Sequence, residues 1–168
     1  MIKDRVLQGA RAAATIGWTA AMLAAVESHK AIDRKLGQGR EQEPIFDRYM
    51  RTWTGGLQWM LGVDLHIVPG LPPPARGARM VVSNHRSALD IPILLTQFGG
   101  SVLARGDMEA WPLLGLAAQK AQTIFVDRES SHSGAQAIRS IRDQLERGRT
   151  ITVFPEGTTF SGDEVRPF

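Results

Sequence analysis

Between residues 78 and 154 the chain alternates short apolar runs with longer stretches of helical period. Strands are expected at 78–83, 101–105, 122–127 and 149–154, and helices from the loop after Ser83 to about Phe98, at 108–119 and at 133–147. Alternation at these lengths restricts the fold class to α/β, a mostly parallel sheet flanked by helices. In such a sheet ligands gather where strands end and loops begin. The helix at 133–147 should carry Ala137, Ile138, Ile141 and Leu145 inward and stop at Gly148.

The first third has a different period. Residues 5–35 read as one alanine-rich helix without proline, ended by Gly37 and Gly39, and a second helix runs from Pro44, a favoured first-turn residue, to Leu61. Val63 to Val68 alternates like a half-buried strand with His66 on its polar face, and Pro69 to Gly77 reads as a stiff loop. The expected division is therefore a helical segment over 1–61 and an α/β domain over 62–168. Trp18, Trp53 and Trp59 share the helical segment with Arg40, Arg48 and Arg51. Two readings of that pattern stand: a membrane-anchoring pair of helices lying in the interface, or a cover for the α/β domain. The longest uncharged stretch, Ala12 to Val26, is shorter than the roughly 20 residues a spanning helix needs. It also lacks the charge pattern and cleavage site of a signal peptide.

Composition removes several chemistries. Cysteine is absent, which excludes disulfides, thiolate metal sites and a cysteine nucleophile. The histidines (His29, His66, His85 and His132) lack metal-ligand spacing, so no metal is expected. A net charge of +3, carried far more by arginine than lysine, suits anionic lipid, phosphorylated substrates or nucleic acid. No nucleic-acid motif is present, and the aromatic residues have apolar rather than basic neighbours, so nucleic acid is not an expected partner.

Three short motifs carry the chemistry. Ser83-Asn-His-Arg-Ser-Ala-Leu-Asp90 places His85 and Asp90 five positions apart, directly after an apolar run; Thr123 to Arg128 and Phe154 to Thr158 follow at domain-scale spacing. His85, Asp127-Arg128 and Pro155-Glu-Gly157 all sit at the C-terminal ends of expected strands, which makes one shared site the economical reading. Imidazole is the side chain that titrates nearest neutrality, so His85 is the candidate base, and Asp90 would fix its tautomer. Ser87-Ala-Leu-Asp90 is also a capping-box pattern, and the two roles of Asp90 are compatible. A serine hydrolase reading fails for want of any Gly-x-Ser-x-Gly elbow.

Together these motifs resemble the glycerolipid acyltransferase family, in particular the 1-acyl-sn-glycerol-3-phosphate acyltransferase-like members, over about residues 63–168. The resemblance implies transfer of a fatty acyl group from acyl-CoA or acyl carrier protein to the hydroxyl of a lysophospholipid such as lysophosphatidic acid, without a cofactor. It implies a catalytic pair, His85 and Asp90, and substrate binding by Asn84, Arg128, Glu156, Gly157 and Thr158, with Arg128 on the acceptor's phosphate. It makes Arg105 a candidate substrate contact. It also implies work at a membrane surface, on the cytoplasmic face. The chain departs from the family where Thr159-Phe160 follows Glu-Gly-Thr and where Arg86 follows the histidine, both at the acceptor site. Family members normally continue past Arg166-Pro-Phe168 into another strand with a fourth motif. The α/β domain is thus expected to be C-terminally incomplete, with strand 149–154 left as an exposed sheet edge. The alternative reading is a non-catalytic lipid- or membrane-binding fragment.

Overall fold

The structure, a computed structural model, describes residues 2–36, 42–68, 77–127, 129–159 and 164. Arg128, the helix stop at Gly37 and Gly39, and residues 69–76 of the proline loop lie outside these residues. Strands β1 (Arg79–Val82), β2 (Ser101–Arg105), β3 (Ile124–Val126) and β4 (Thr150–Val153) form one sheet in the order β1-β4-β2-β3, paired in parallel throughout. Helices α3 (Asp90–Phe98), α4 (Leu114–Lys120) and α5 (Ser131–Glu146) connect them. The steps from β1 to β2 and from β2 to β3 cross the sheet one way, and the step from β3 to β4 returns. Right-handed crossovers then put α3 and α4 on one face and α5 on the other. The return lands β4 between β1 and β2, so the expectation that strand 149–154 forms an exposed edge is wrong. Among the described residues the edges are β1 and β3.

Alternate strand residues serve the two faces. Under α5, Ile124, Ala137 and Ile151 form a buried cluster closed by Leu103, Val126, Ile141, Leu145 and Val153. Ile151 is fully buried, a contribution of about 2–3 kcal/mol. Ile138 was expected to join this cluster and is instead 69% exposed. It lies about 100° around the helix from Ala137, off the stripe that Ile141 and Leu145 continue. Ser130 caps α5 by accepting the Ser133 N–H at 3.2 Å, and Gly148 ends it at φ 77°.

On the opposite face Met50, Leu95 and Ala121 form a second buried cluster, packed with Phe46, Trp53 and Ile91. Met50 and Trp53 belong to α2 (Gln42–Leu61), which lies against α3 and carries α1 (Ile2–Leu36) on its outer side. The contact is polar as well as apolar. The Thr96 hydroxyl donates to Thr54 Oγ1 at 2.7 Å, and Gln58 Nε2 donates to the Pro92 carbonyl at 3.0 Å. Trp18 donates to the Trp53 carbonyl at 2.9 Å, and Trp53 donates to Thr19 Oγ1 at 3.1 Å. A Cβ on Gly56 would overlap the Trp18 indole, so the helices approach closely there only because residue 56 is glycine. Lys120 of α4 donates to Glu27 of α1 at 2.6 Å and holds that carboxyl below its ordinary range. Two of the three tryptophans in this segment are thus interior ties; Trp59 alone of the three is exposed. Among the described residues no helix is long and apolar enough to cross a membrane.

Two expected elements are not formed as drawn. Residues 63–68 are not a strand: Asp64 to Val68 are exposed and pair with no described strand, and alternation makes a strand only where an edge is there to pair with it. The helix expected at 108–119 is broken into a 3-10 turn, Gly106–Ala110, and α4. Pro112 lacks the N–H an unbroken helix needs, and Leu113 turns the chain with φ 58°.

Candidate active site

The sheet order brings two of the three motifs together. Val82 of β1 pairs with Val153 of β4, and the Ser83 N–H extends the ladder by donating to the Val153 carbonyl at 3.2 Å. His85 and Glu156 each come three residues after these paired positions, so the two loops leave the sheet side by side. The His85 N–H donates to Glu156 Oε2 at 3.3 Å, and the Phe154 ring stacks on the imidazole with centroids 4.1 Å apart and planes inclined by 21°. Phe154 is itself buried, so the stack gives the imidazole a fixed wall.

Asp90 fixes the other side. Its Oδ2 lies 3.0 Å from His85 Nδ1 and accepts the backbone N–H groups of Arg86 at 2.6 Å and Ser87 at 2.8 Å. An oxygen that accepts two backbone donors is an acceptor toward the ring as well. In the neutral imidazole Nδ1 therefore carries the proton and Nε2 the lone pair. Half of the capping box is formed: Asp90 reaches back to the Ser87 N–H, while Ser87 Oγ accepts from Leu89 at 3.1 Å rather than from residue 90. The capping and tautomer-fixing roles of Asp90 thus rest on one oxygen.

His85 opens onto a cleft of about 610 Å³ at the C-terminal ends of the strands. Ile91, Leu103, Val126, Val153, Met108 and Trp111 give it an apolar wall, and Pro155, Gly157, Thr158 and Thr159 form a polar lip. Gly157 takes φ 69°, a conformation that costs other residues, which is why the turn after Glu156 is built on glycine. Arg105 also lines the cleft, with Nε 3.0 Å and Nη2 2.6 Å from the two oxygens of Asp107.

The remaining sequence candidates are placed unevenly. Gly157 and Thr158 line the cleft, and Glu156 braces the His85 backbone. Asn84 is exposed and is not among the lining residues; its carbonyl accepts from the Ser83 hydroxyl at 3.0 Å. Arg128 lies outside the described residues, although Val126 two positions before it lines the cleft. Asp127 turns toward the start of α5, its N–H donating to Ser133 Oγ at 2.9 Å. Sequence reasoning assigned no role to Phe154 or Trp111. Phe154 opens the third motif, a signal that was available; Trp111 stands in a segment whose break at Pro112 had to be seen first. Among the described residues no group of three or more potential ligands could hold a metal ion.

Known proteins resemble this chain in sequence and in fold. A family model described as Acyltransferase matches residues 71–168. The chain belongs to that family. It is 35% identical over 130 residues to a lyso-ornithine lipid O-acyltransferase of Pseudomonas aeruginosa, a match covering 77% of this chain and 49% of that protein. It is 32% identical over 110 residues to a 1-acyl-sn-glycerol-3-phosphate acyltransferase of Neisseria gonorrhoeae, covering 65% and 43%. The chain thus spans about half the length of these curated relatives. The crystal structure of PlsC, the 1-acyl-sn-glycerophosphate acyltransferase of Thermotoga maritima, superposes with a TM-score of 0.59 at 20% identity, covering 95% of this chain and 64% of that one. At that identity the likeness speaks for the fold, an α/β sheet preceded by two helices.

Proposed function

We propose that this chain carries the acid/base site of an O-acyltransferase that acylates a lysophospholipid hydroxyl. The observation that supports it most directly is the 3.0 Å contact from His85 Nδ1 to an Asp90 oxygen already held by two backbone donors, beside an apolar cleft. Nε2 takes the acceptor's hydroxyl proton as that oxygen attacks the thioester carbonyl. The C–S bond then breaks, and the imidazolium returns the proton to the departing thiolate. Asp90 stabilises the imidazolium in between. The apolar wall suits an acyl chain, and the Thr158 side of the cleft suits the acceptor's polar part. Arg128, by resemblance, takes the acceptor's phosphate. Acyl-CoA or acyl carrier protein is the donor, and lysophosphatidic acid is the leading acceptor. The 35% identity to a lyso-ornithine lipid enzyme supports a second acceptor, lyso-ornithine lipid.

The site end of the molecule bears several exposed apolar residues. α2 runs antiparallel to α3, with Gln58 beside Pro92 and Asp47 beside Gly100, so Trp59 stands at the end that bears His85. Trp59 is 82% exposed, and Trp111, Leu114 and Leu116 are exposed beside the cleft. We assign this end to the membrane surface, on the cytoplasmic face, with residues 1–61 as the associating segment and 62–168 as the acyltransferase domain.

The decisive experiment offers lysophosphatidic acid and lyso-ornithine lipid with an acyl thioester and follows free thiol. Release that needs both a lysolipid and His85 is the expected result. Thiol release unchanged in His85→Ala would end the mechanism, and lysolipid binding without any release would favour the non-catalytic reading.

A further inference from the structure

At the other end of the sheet lies a second cleft, of about 710 Å³, formed where the strands begin. Its walls come from separate segments: Arg48 and Arg51 from α2, Arg79 opening β1, and Arg147 and Arg149 from the turn between α5 and β4. Among the described lining residues these five guanidinium groups face one carboxylate, that of Asp47, and no lysine contributes. Asp47 is already engaged, accepting the Gly100 N–H at 3.1 Å.

Structural duties account for part of the cluster. Arg51 donates to the Thr96 and Gln97 carbonyls at 2.7 and 2.9 Å, satisfying the end of α3. Arg79 donates to the Phe98 carbonyl at 2.9 Å and to Thr150 Oγ1 at 3.1 Å. Arg48 and Arg147 have no such duty: among the described residues neither side chain hydrogen-bonds or pairs with another group. Gathering like charges in a concavity raises the local potential and favours an anion there.

Three features define that anion. Arginine forks suit the oxygens of phosphate, which they bind two at a time. The volume falls in the usual range of small-molecule sites, about 300–1,000 Å³, and the concave shape suits a compact ligand better than a protein surface. The cleft also lies at the end remote from Trp59, Trp111, Leu114 and Leu116, which points it toward water. A four-residue strand, about 13 Å long, separates it from the acyl-transfer site, so a group held here does not touch that chemistry.

We propose that this cleft binds a compact soluble polyanion carrying two or more phosphate groups, at a site separate from the one built on His85. The inference goes beyond acyl transfer and does not depend on it; only the choice of a soluble ligand rests on the membrane end assigned above.

Calorimetric titration of the 168-residue chain with inorganic pyrophosphate at physiological salt tests the proposal. Saturable binding at one site is expected. Arg48→Ala should weaken it about tenfold, and Arg48→Ala with Arg147→Ala about a hundredfold, the scale of one charge-assisted contact per side chain. His85→Ala should bind pyrophosphate as the parent does. Far-UV circular dichroism checks the variants; Arg48 is exposed on α2, so Arg48→Ala by itself carries the test should the double variant unfold. Absence of saturable heat, or equal affinity in the parent and Arg48→Ala, overturns the site. Displacement of pyrophosphate by phosphatidylglycerol vesicles, with no displacement by phosphatidylcholine vesicles, would assign the cleft to a lipid headgroup and overturn the soluble ligand. A polyglutamate that binds through Arg48 where pyrophosphate does not would assign it to an acidic protein.

Discussion

Where β1 and β4 end, the chain places an imidazole, a carboxylate and an apolar wall; where the same strands begin, it places arginines. The contrast follows from the direction of the strand–helix unit. The loop that leads into α3 presents free N–H groups, and Asp90, the first residue of the helix, supplies an acceptor for those of Arg86 and Ser87. The same helix presents free carbonyls at its other end, and Arg51 and Arg79 supply donors for those of Thr96, Gln97 and Phe98. A carboxylate at one end and guanidinium groups at the other thus first satisfy the backbone leading into and out of one helix. The His85 end then adds a base, and the arginine end adds Arg48 and Arg147.

If the two ends divide chemistry from support, substitutions should separate along the same line. The largest effect belongs to His85→Ala, which should lower turnover about a thousandfold, the usual worth of a positioned base, while thermal unfolding stays close to the parent's. Equal turnover would collapse the distinction between the ends. Asp90→Ala should impair both properties: turnover falls, and stability drops by about 1–3 kcal/mol because two backbone donors and the ring lose their acceptor. Chemical denaturation measures the second part. A variant that loses activity with no loss of stability would show that the capping role is idle.

Gly157→Ala should cost about 1–2 kcal/mol at φ 69° and shift the lip that carries Thr158, raising the acceptor's KM more than it changes thioester binding. An unchanged acceptor KM would remove the lip from the acceptor site. Arg51→Ala, at the other end, should cost about 1 kcal/mol through the α3 carbonyls and leave turnover near the parent's. A turnover loss as large as that of Asp90→Ala would mean the two ends are not separable.

Much of the site was legible because its central contact is local. His85 and Asp90 are five residues apart across one strand-to-helix turn, so spacing alone brings them within reach. The strand at 101–105 was bounded to the residue, while the helix at 108–119 failed at Pro112, a breaker present in the sequence and passed over. Ile138 was misplaced because four apolar residues do not all fit one stripe. The strand at 63–68 was misread because alternation reports a willing segment and says nothing of a partner.

The sequence by itself determined the strand–helix alternation from β1 to β4, the parallel class, the His85–Asp90 pair and the family, since each is written in residues near one another along the chain. Only the tertiary structure decided that β4 inserts between β1 and β2, which brings Phe154 and Glu156 against His85 from about seventy positions away. It also decided that Trp18 and Trp53 tie helices together while Trp59 faces outward, and that arginines from α2, β1 and the α5–β4 turn share one cleft. Such choices depend on which surfaces pack against each other. A local pattern of period 2 or 3.6 specifies which face of an element is apolar, and leaves its partner to be settled by the packing of the whole chain.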